Sequence, residues 1–292
     1  MSMYREHFGL RVNPFTVNPD PRFLLLTPQM REALAVLTYG VQERKGFILL
    51  TGEVGTGKTT AINKLLEWLH LRQLPSAFVF NPRLTPLEFL QFMMADFGIH
   101  NPSPDKGMML KRLNQWLVER YREHKTAVLI IDEAQNLSFE MLEEVRLLTN
   151  LETSTAKLLQ VVLAGQPELE RRLADPEMRQ LRQRITLLAR TTPLTQEQTA
   201  SYIDQRLRIA GAATRLFDPA AVAAVHCYAQ GIPRVTNVIC EHALISAFAD
   251  QKTSVDARLI EQVAEEFDLV PARTAESWEA THKRILVTKE TR

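Results

Sequence analysis

The sequence predicts an α/β fold, a parallel sheet flanked by helices and followed by a small α-helical domain. Three observations carry this. Short apolar runs alternate with longer segments of helical periodicity from Gly46 onward, the pattern of a parallel sheet covered on both faces. One such run passes directly into a glycine-rich turn and then a helix. After Pro193 the strand signal stops and only helical periodicity remains.

The expected strands are Phe47–Leu50, Ala77–Phe80, Ala127–Ile131, Leu158–Ala164 and Ile185–Ala189, with helices at Thr59–Leu71, Pro86–Phe97, Gly107–His124 and Phe139–Leu151 between them. In the second part, Thr195-Gln196-Glu197-Gln198 has the form of a capping box, and Thr199, Ile203 and Leu207 follow at helical spacing. Further helices are expected at Asp218–Gln230, Pro233–Ala249 and Asp256–Phe267. The first 45 residues read differently. Asn13-Pro14-Phe15 and Asn18-Pro19-Asp20-Pro21 favour extended and turn conformations ahead of a helix near Pro28–Arg44. The expected organisation is a lead-in, 1–45, packing on the core; an α/β domain, 46–194; a small helical domain, 195–269; and a tail, 270–292, left unassigned.

Composition narrows the class of function. With 45% hydrophobic and 24% charged residues the chain is an ordinary globular protein. Its 35 basic and 34 acidic side chains give a formal charge of +1, so any nucleic-acid surface must be local. Cys227 and Cys240 are too sparse for a secreted disulfide framework. The longest aliphatic run, Ala127–Ile131, falls far short of the roughly 20 residues that cross a bilayer. A cytoplasmic protein without membrane insertion is expected.

The chemistry begins at Gly52-Glu53-Val54-Gly55-Thr56-Gly57-Lys58-Thr59, with Thr60 next, set between a strand and a helix. Glycines let backbone amides turn inward around phosphate oxygens and the helix N-terminus adds positive potential. Lys58 neutralises β- and γ-phosphates, and Thr59 offers a hydroxyl to Mg²⁺. ATP with Mg²⁺ is therefore the expected cofactor. The strand Ala127–Ile131 delivers Asp132 and Glu133 at its carboxyl end, where open α/β sheets bind ligands. Asp132 would hold the metal through water and Glu133 would polarise the attacking water; alone, the pair also fits a helix cap. Gln166, after Leu158–Ala164, is a candidate for the γ-phosphate or the water, or else satisfies loop backbone. Arg182 and Arg184 precede the last strand and fit an arginine that reaches a neighbouring subunit's nucleotide, Arg184 before Arg182, against the alternative of a solvated basic face with Arg171, Arg172, Arg179 and Arg190. Arg234, in Gly231-Ile232-Pro233-Arg234, opens a helix and could couple nucleotide state to the angle between domains, or be an exposed arginine.

Taken together the chain resembles the ExeA/GspA type of AAA+ ATPase, associated with type II secretion and related to the TniB- and TnsC-like ATPases of transposition. The resemblance runs from Tyr4 to Leu269. It is carried by Tyr4-Arg5-Glu6-His7-Phe8-Gly9-Leu10, Asn13-Pro14-Phe15, the phosphate loop, Ile131-Asp132-Glu133-Ala134-Gln135, Leu163-Ala164-Gly165-Gln166-Pro167-Glu168-Leu169, Leu181-Arg182-Gln183-Arg184-Ile185 and Gly231-Ile232-Pro233-Arg234. It implies an AAA+ nucleotide domain with a helical lid, ATP hydrolysis at a subunit interface, a homo-oligomeric ring or filament, and a protein partner. The secretion-associated members continue into a membrane segment and a periplasmic, peptidoglycan-binding part that is not present here. A stand-alone ATPase that loads onto DNA for a transposase is therefore the alternative expectation, with Arg83, Lys106, Lys111 and Arg112 as phosphate contacts. A module that binds nucleotide without turnover is the third; Glu133 argues against it.

Overall fold

Residues 3–16, 18, 20–80, 84–100, 105–153 and 156–271 are described by a computed structural model. In chain order the elements are α1 (Met3–His7), α2 (Pro28–Gln42), β1 (Phe47–Thr51), α3 (Lys58–Leu71), β2 (Ser76–Val79), α4 (Pro86–Asp96), α5 (Lys106–Arg122), β3 (Ala127–Ile131), α6 (Phe139–Leu148), β4 (Leu159–Gly165), α7 (Pro167–Ala174), α8 (Arg179–Arg182), β5 (Ile185–Arg190), α9 (Gln196–Ala210), α10 (Pro219–Ala229), α11 (Pro233–Ala249) and α12 (Ala257–Glu266). All five expected strands form, each within a residue or so of its expected bounds. Helices α7 and α8 were not anticipated, because eight and four residues are too short to show a period.

The chain folds as two compact units, 19–192 and a second made of 1–18 with 193–292. In the first, the strands pair in parallel in the order β2-β3-β4-β1-β5. β1, β3 and β4 are buried along their whole length, as their unbroken Val, Ile and Leu content requires when helices cover both faces. Alternation sorts the side chains. Leu49, Leu129, Ile131 and Leu163 point into a core built with Phe89, Met93, Leu113 and Leu142, whereas Ile48, Leu50, Val128, Ile130 and Val162 meet Leu37, Ile62 and Leu65 of α2 and α3. Helix starts follow their caps. Thr27, Asp105 and Ser138 each accept a first-turn amide, and Thr85 with Glu88 closes a capping box.

The second unit packs α9–α12 around Ile203, Phe217, Ile239, Leu244 and Ile260. The capping box at Thr195 and Gln198 is present. The segment expected to pack as one lead-in divides: α2 joins the sheet, but Tyr4, Phe8, Leu10 and Phe15 belong to the core of the helical unit. Polar groups on α9 and α11 account for this. Buried Arg206 donates from Nε to Pro14 O and from Nη1 to the Tyr202 hydroxyl, which donates to Asn237 Oδ1 at 2.9 Å. Asn237 Nδ2 reaches Thr16 O at 3.2 Å, and Glu241 Oε1 accepts from both the Tyr4 hydroxyl at 2.9 Å and Asn13 Nδ2 at 2.7 Å. The Asn13-Pro14-Phe15 turn is thus stitched to the helices by donors and acceptors that an aliphatic core could not offer.

Within β4, Gln160 is fully buried; its Oε1 accepts the Gly46 amide at 2.7 Å and its Nε2 donates to Lys157 O at 3.1 Å. Gln160→Leu orphans that buried amide, so unfolding in denaturant should show a loss of about 1–3 kcal/mol; an unchanged midpoint would mean water replaces the side chain.

Candidate functional site

Because the strands run parallel, the turns after β1, β3 and β4 all emerge at the same end of the sheet, with β4 lying between β1 and β3. The turn after β1 is tight. Gly52 packs so closely on the end of β5 that a Cβ would stand 2.1 Å from Thr191 Oγ1 and 2.5 Å from Thr191 O. Gly55 and Gly57 take φ of 80° and 102°, and Gly57 caps α3 without a side chain, leaving first-turn amides directed at the space ahead of the helix. Thr56 is buried; its hydroxyl donates to Glu53 O at 2.8 Å and lies 2.7 Å from the Thr191 hydroxyl. Glu53, Val54 and Thr59 are exposed, and Gly55 and Thr60 half-buried.

Lys58 is only 6% exposed. Its ammonium donates to Gly52 O at 2.7 Å and Glu53 O at 3.0 Å, so it lies folded back against the loop. Burial draws its pKa below the ordinary lysine range, and the facing Glu133 and Asp132 carboxylates only partly restore it.

Asp132 is also 6% exposed. Its Oδ1 accepts the Glu133 amide at 2.9 Å and its Oδ2 the Thr59 hydroxyl at 3.3 Å. Burial raises its pKa above the usual carboxylate range, and the Glu133 charge adds to this. Glu133 takes a left-handed backbone, φ 53° and ψ 35°, at a cost of order 1–3 kcal/mol for a residue with a Cβ. Gln166 Nε2 points at Glu133 Oε2, 3.4 Å away. The structure therefore brings together Lys58, Thr59, Asp132, Glu133 and Gln166 from three loops.

Three groups at this site carry no chemical signal in the sequence. Gln135 donates to Glu133 Oε2. Glu170 of α7 accepts the Thr51 hydroxyl and pairs with Arg190 Nη2 at 2.8 Å; that arginine holds the Glu170 carboxyl below its usual range. Thr191 fixes Thr56. Only Gln135 stood inside a recognisable motif.

Arg184 lies apart from this group. Arg184 precedes β5 at the end where Phe47 pairs with Ile185, opposite the phosphate loop. The five residues of β1 separate the two by about 16 Å at roughly 3.3 Å per residue. Its Nη1 bonds Thr149 Oγ1 and Asn150 Oδ1, each at 2.7 Å, at the C-terminus of α6. Arg182 is exposed and makes no hydrogen bond or ion pair among the described residues. Arg234 is exposed in the first turn of α11, in the helical unit. There Gly231 is obligatory, since a Cβ would stand 2.1 Å from Leu194 O. Of the candidate nucleic-acid contacts, Lys106 pairs with Glu144 at 2.6 Å, Lys111 and Arg112 are exposed on α5, and Arg83 lies outside the described residues. No described helix is long and apolar enough to cross a membrane.

An AAA domain model matches residues 41–173. General secretion pathway protein A of Aeromonas hydrophila is 42% identical over 252 residues, which span 85% of this chain and 45% of that protein; the chain thus spans about half the length of this relative. Among solved structures, the Aeropyrum pernix ORC2 protein (ADPNP-ADP complexes) matches with a TM-score of 0.60 and 16% identity, over 88% of this chain and 73% of that one. Cdc6p from Pyrobaculum aerophilum gives 0.62 and 18%, over 85% and 70%. The RuvB Holliday junction branch migration motor of Thermotoga maritima gives 0.56 and 15%, over 81% and 67%. A five-stranded parallel sheet, the loop Gly52–Thr59, the Asp132-Glu133 pair and these likenesses agree: the chain has the fold of the AAA+ P-loop proteins, carries an AAA domain over residues 41–173, and is similar to the ExeA/GspA type of AAA+ ATPase.

Proposed function

We propose that the chain binds ATP with Mg²⁺ at residues 52–60 and hydrolyses it at an interface between copies, so that the nucleotide drives or switches an assembly acting on a protein partner. The observation that carries this is the convergence of Lys58, Thr59, Asp132 and Glu133 at one end of the sheet. The Thr59 hydroxyl and Asp132 Oδ2 share one hydrogen bond, so both oxygens face the same point. Mg²⁺ is an ion held by one or two protein oxygens with waters and nucleotide phosphates, a demand that one hydroxyl and one carboxylate can meet. Thr59 and Asp132 would hold it, and it would neutralise charge on the β- and γ-phosphates.

The chain's own groups supply the rest. Lys58 exchanges the Gly52 and Glu53 carbonyls for phosphate oxygens, relieving the cost of burying a cation among neutral acceptors. Amides of the loop and of the first turn of α3 receive the remaining phosphate oxygens. Glu133 takes a proton from water as the water oxygen bonds the γ-phosphorus and the bond to the departing ADP oxygen breaks. Gln166 orients that water or the γ-phosphate from between the two loops. Arg184 lies too far from its own loop, so its part is to stabilise transition-state charge at a neighbouring copy; its anchorage on α6 pre-orients it, and Arg182 is the alternative donor. Arg234 would report the γ-phosphate to the helical unit. We place the protein in the cytoplasm. A DNA-loaded assembly, as in transposition, is the alternative. It has less support here because Lys106 is already paired with Glu144, leaving Lys111 and Arg112 as the phosphate contacts among the described residues, and ATP-dependent duplex binding that weakens steeply with salt would establish it.

Three outcomes test the proposal. Lys58→Ala should lose ATP binding, while Glu133→Gln should retain it and turn over about 10²–10⁴-fold more slowly; parent-rate hydrolysis by either variant removes its assignment. The raised pKa of Asp132 means that the native chain binds this proton more tightly than the unfolded chain does. The carboxylate therefore destabilises the nucleotide-free fold increasingly as pH rises from the usual carboxylate range through the raised value. Asp132→Asn should accordingly melt no lower than the parent at pH 7 without ligand, yet fail to gain thermal stability from ATP with Mg²⁺; a lower melting point without ligand contradicts this. Finally, Arg184→Ala and Lys58→Ala, each inactive alone, should regain activity when mixed, because a mixed interface pairs an intact loop with an intact arginine. A mixture that stays inactive would count against action across the interface, and loss of activity in Arg182→Ala alone would pass the role to Arg182.

A further inference from the structure

Glu133 Oε2 accepts two side-chain amides, those of Gln135 and, at 3.4 Å, Gln166. Its Oε1 has no hydrogen-bond partner among the described residues. Gln135 is itself held from three directions. Its Oε1 accepts the Gln166 backbone amide at 3.1 Å. Its backbone carbonyl accepts Arg172 Nη1 from α7. On the third side, Gly165 lies so close that a Cβ there would stand 2.9 Å from Gln135 Oε1. These contacts fix which way the amide faces. With its oxygen on the Gln166 N–H, only its NH₂ can meet the carboxylate; the flipped amide would set oxygen against oxygen and N–H against N–H.

We propose that Gln135 is the positioning residue for Glu133: it ties Oε2 to the loop between β4 and α7 and leaves Oε1 to the attacking water. This rests on the reading of Glu133 as the group that polarises water. Gly165 serves the same brace by lacking a Cβ, and Arg172 by anchoring the Gln135 carbonyl to α7. The same helix carries Glu170, which accepts the Thr51 hydroxyl at the entry to the phosphate loop. A displacement of α7 therefore moves the brace and the loop entry together.

Two substitutions separate orientation from packing. Gln135→Glu keeps an acceptor for the Gln166 amide but turns an oxygen toward Glu133, and Gln135→Met keeps the volume without either bond. Single-turnover hydrolysis and ATP·Mg²⁺ affinity are measured for each in the full chain, in the parent background and in Glu133→Gln. In the parent background each should slow hydrolysis about 10- to 100-fold while leaving affinity within about twofold, as misplacement of a catalytic group does. In the Glu133→Gln background neither should slow the residual rate further, since the group being positioned has gone. Gly165→Ala, which removes no donor or acceptor, should reproduce the parent-background loss. Parent rates in Gln135→Glu and Gln135→Met, an equal fall in both backgrounds, or loss of affinity along with rate would each overturn the proposal, the last two marking Gln135 as structural. Parent-rate hydrolysis by Glu133→Gln alone would instead remove the assignment of Glu133, and the proposal with it.

Discussion

The parallel pairing of the five strands is the constraint on which the site depends. In a parallel sheet every strand leaves by the same edge, so β1, β3 and β4 deliver the phosphate loop, Asp132-Glu133 and Gln166 side by side although they lie up to 114 positions apart in sequence, the spacing from Gly52 to Gln166. The same rule sends the segment before β5 to the far edge. Arg184 is therefore separated from the loop by the length of a strand, and no rearrangement of side chains within one chain closes that gap. On the proposed reading, in which Arg184 is part of the site, a complete site therefore needs a second copy.

Within the near edge, tension is local and directional. Lys58 and Asp132 are both buried, and burial moves both toward their neutral forms. Neither finds full compensation in the protein: Lys58 has two carbonyls, and Asp132 has one amide and one hydroxyl. The proposed ligand, a polyanion with a divalent cation, matches what each lacks, so on that reading the desolvation of these two groups is what gives the ligand something to relieve. Gly52 shows the same economy in backbone form, since its approach to Thr191 admits no side chain and fastens the loop to the end of β5.

Much of this was legible in the sequence because it is written in short-range signals. Apolar runs placed β1, β3 and β4, and glycine spacing with Lys58 and Thr59 placed the loop. The Thr195 capping box placed the start of α9, because its two hydrogen bonds lie within four residues. What escaped is long-range. The N-terminal turn binds the helical unit through Arg206, 192 positions from Pro14, and no local pattern marks that pairing. Gln135 stood within view in Asp132-Glu133-Ala134-Gln135, but its amide acquires meaning only beside Gln166 and Gly165, 31 positions away in the case of Gln166. Arg184 read as an arginine for a neighbouring subunit's nucleotide or part of a solvated basic face; its bonds to Thr149 and Asn150 at the carboxyl end of α6 are contacts that periodicity does not reveal.

The most direct test of a site shared between copies is the ATPase rate per subunit of the parent protein, measured with saturating ATP and Mg²⁺ across a wide range of protein concentration. If Arg184 completes a neighbour's site, the rate per subunit is near zero in dilute solution, where monomers hold ATP without turning it over, and climbs to a plateau as copies associate, with the plateau about 10³–10⁵-fold above the dilute limit. A rate per subunit that stays constant across a range in which the protein passes from monomer to oligomer would contradict the account.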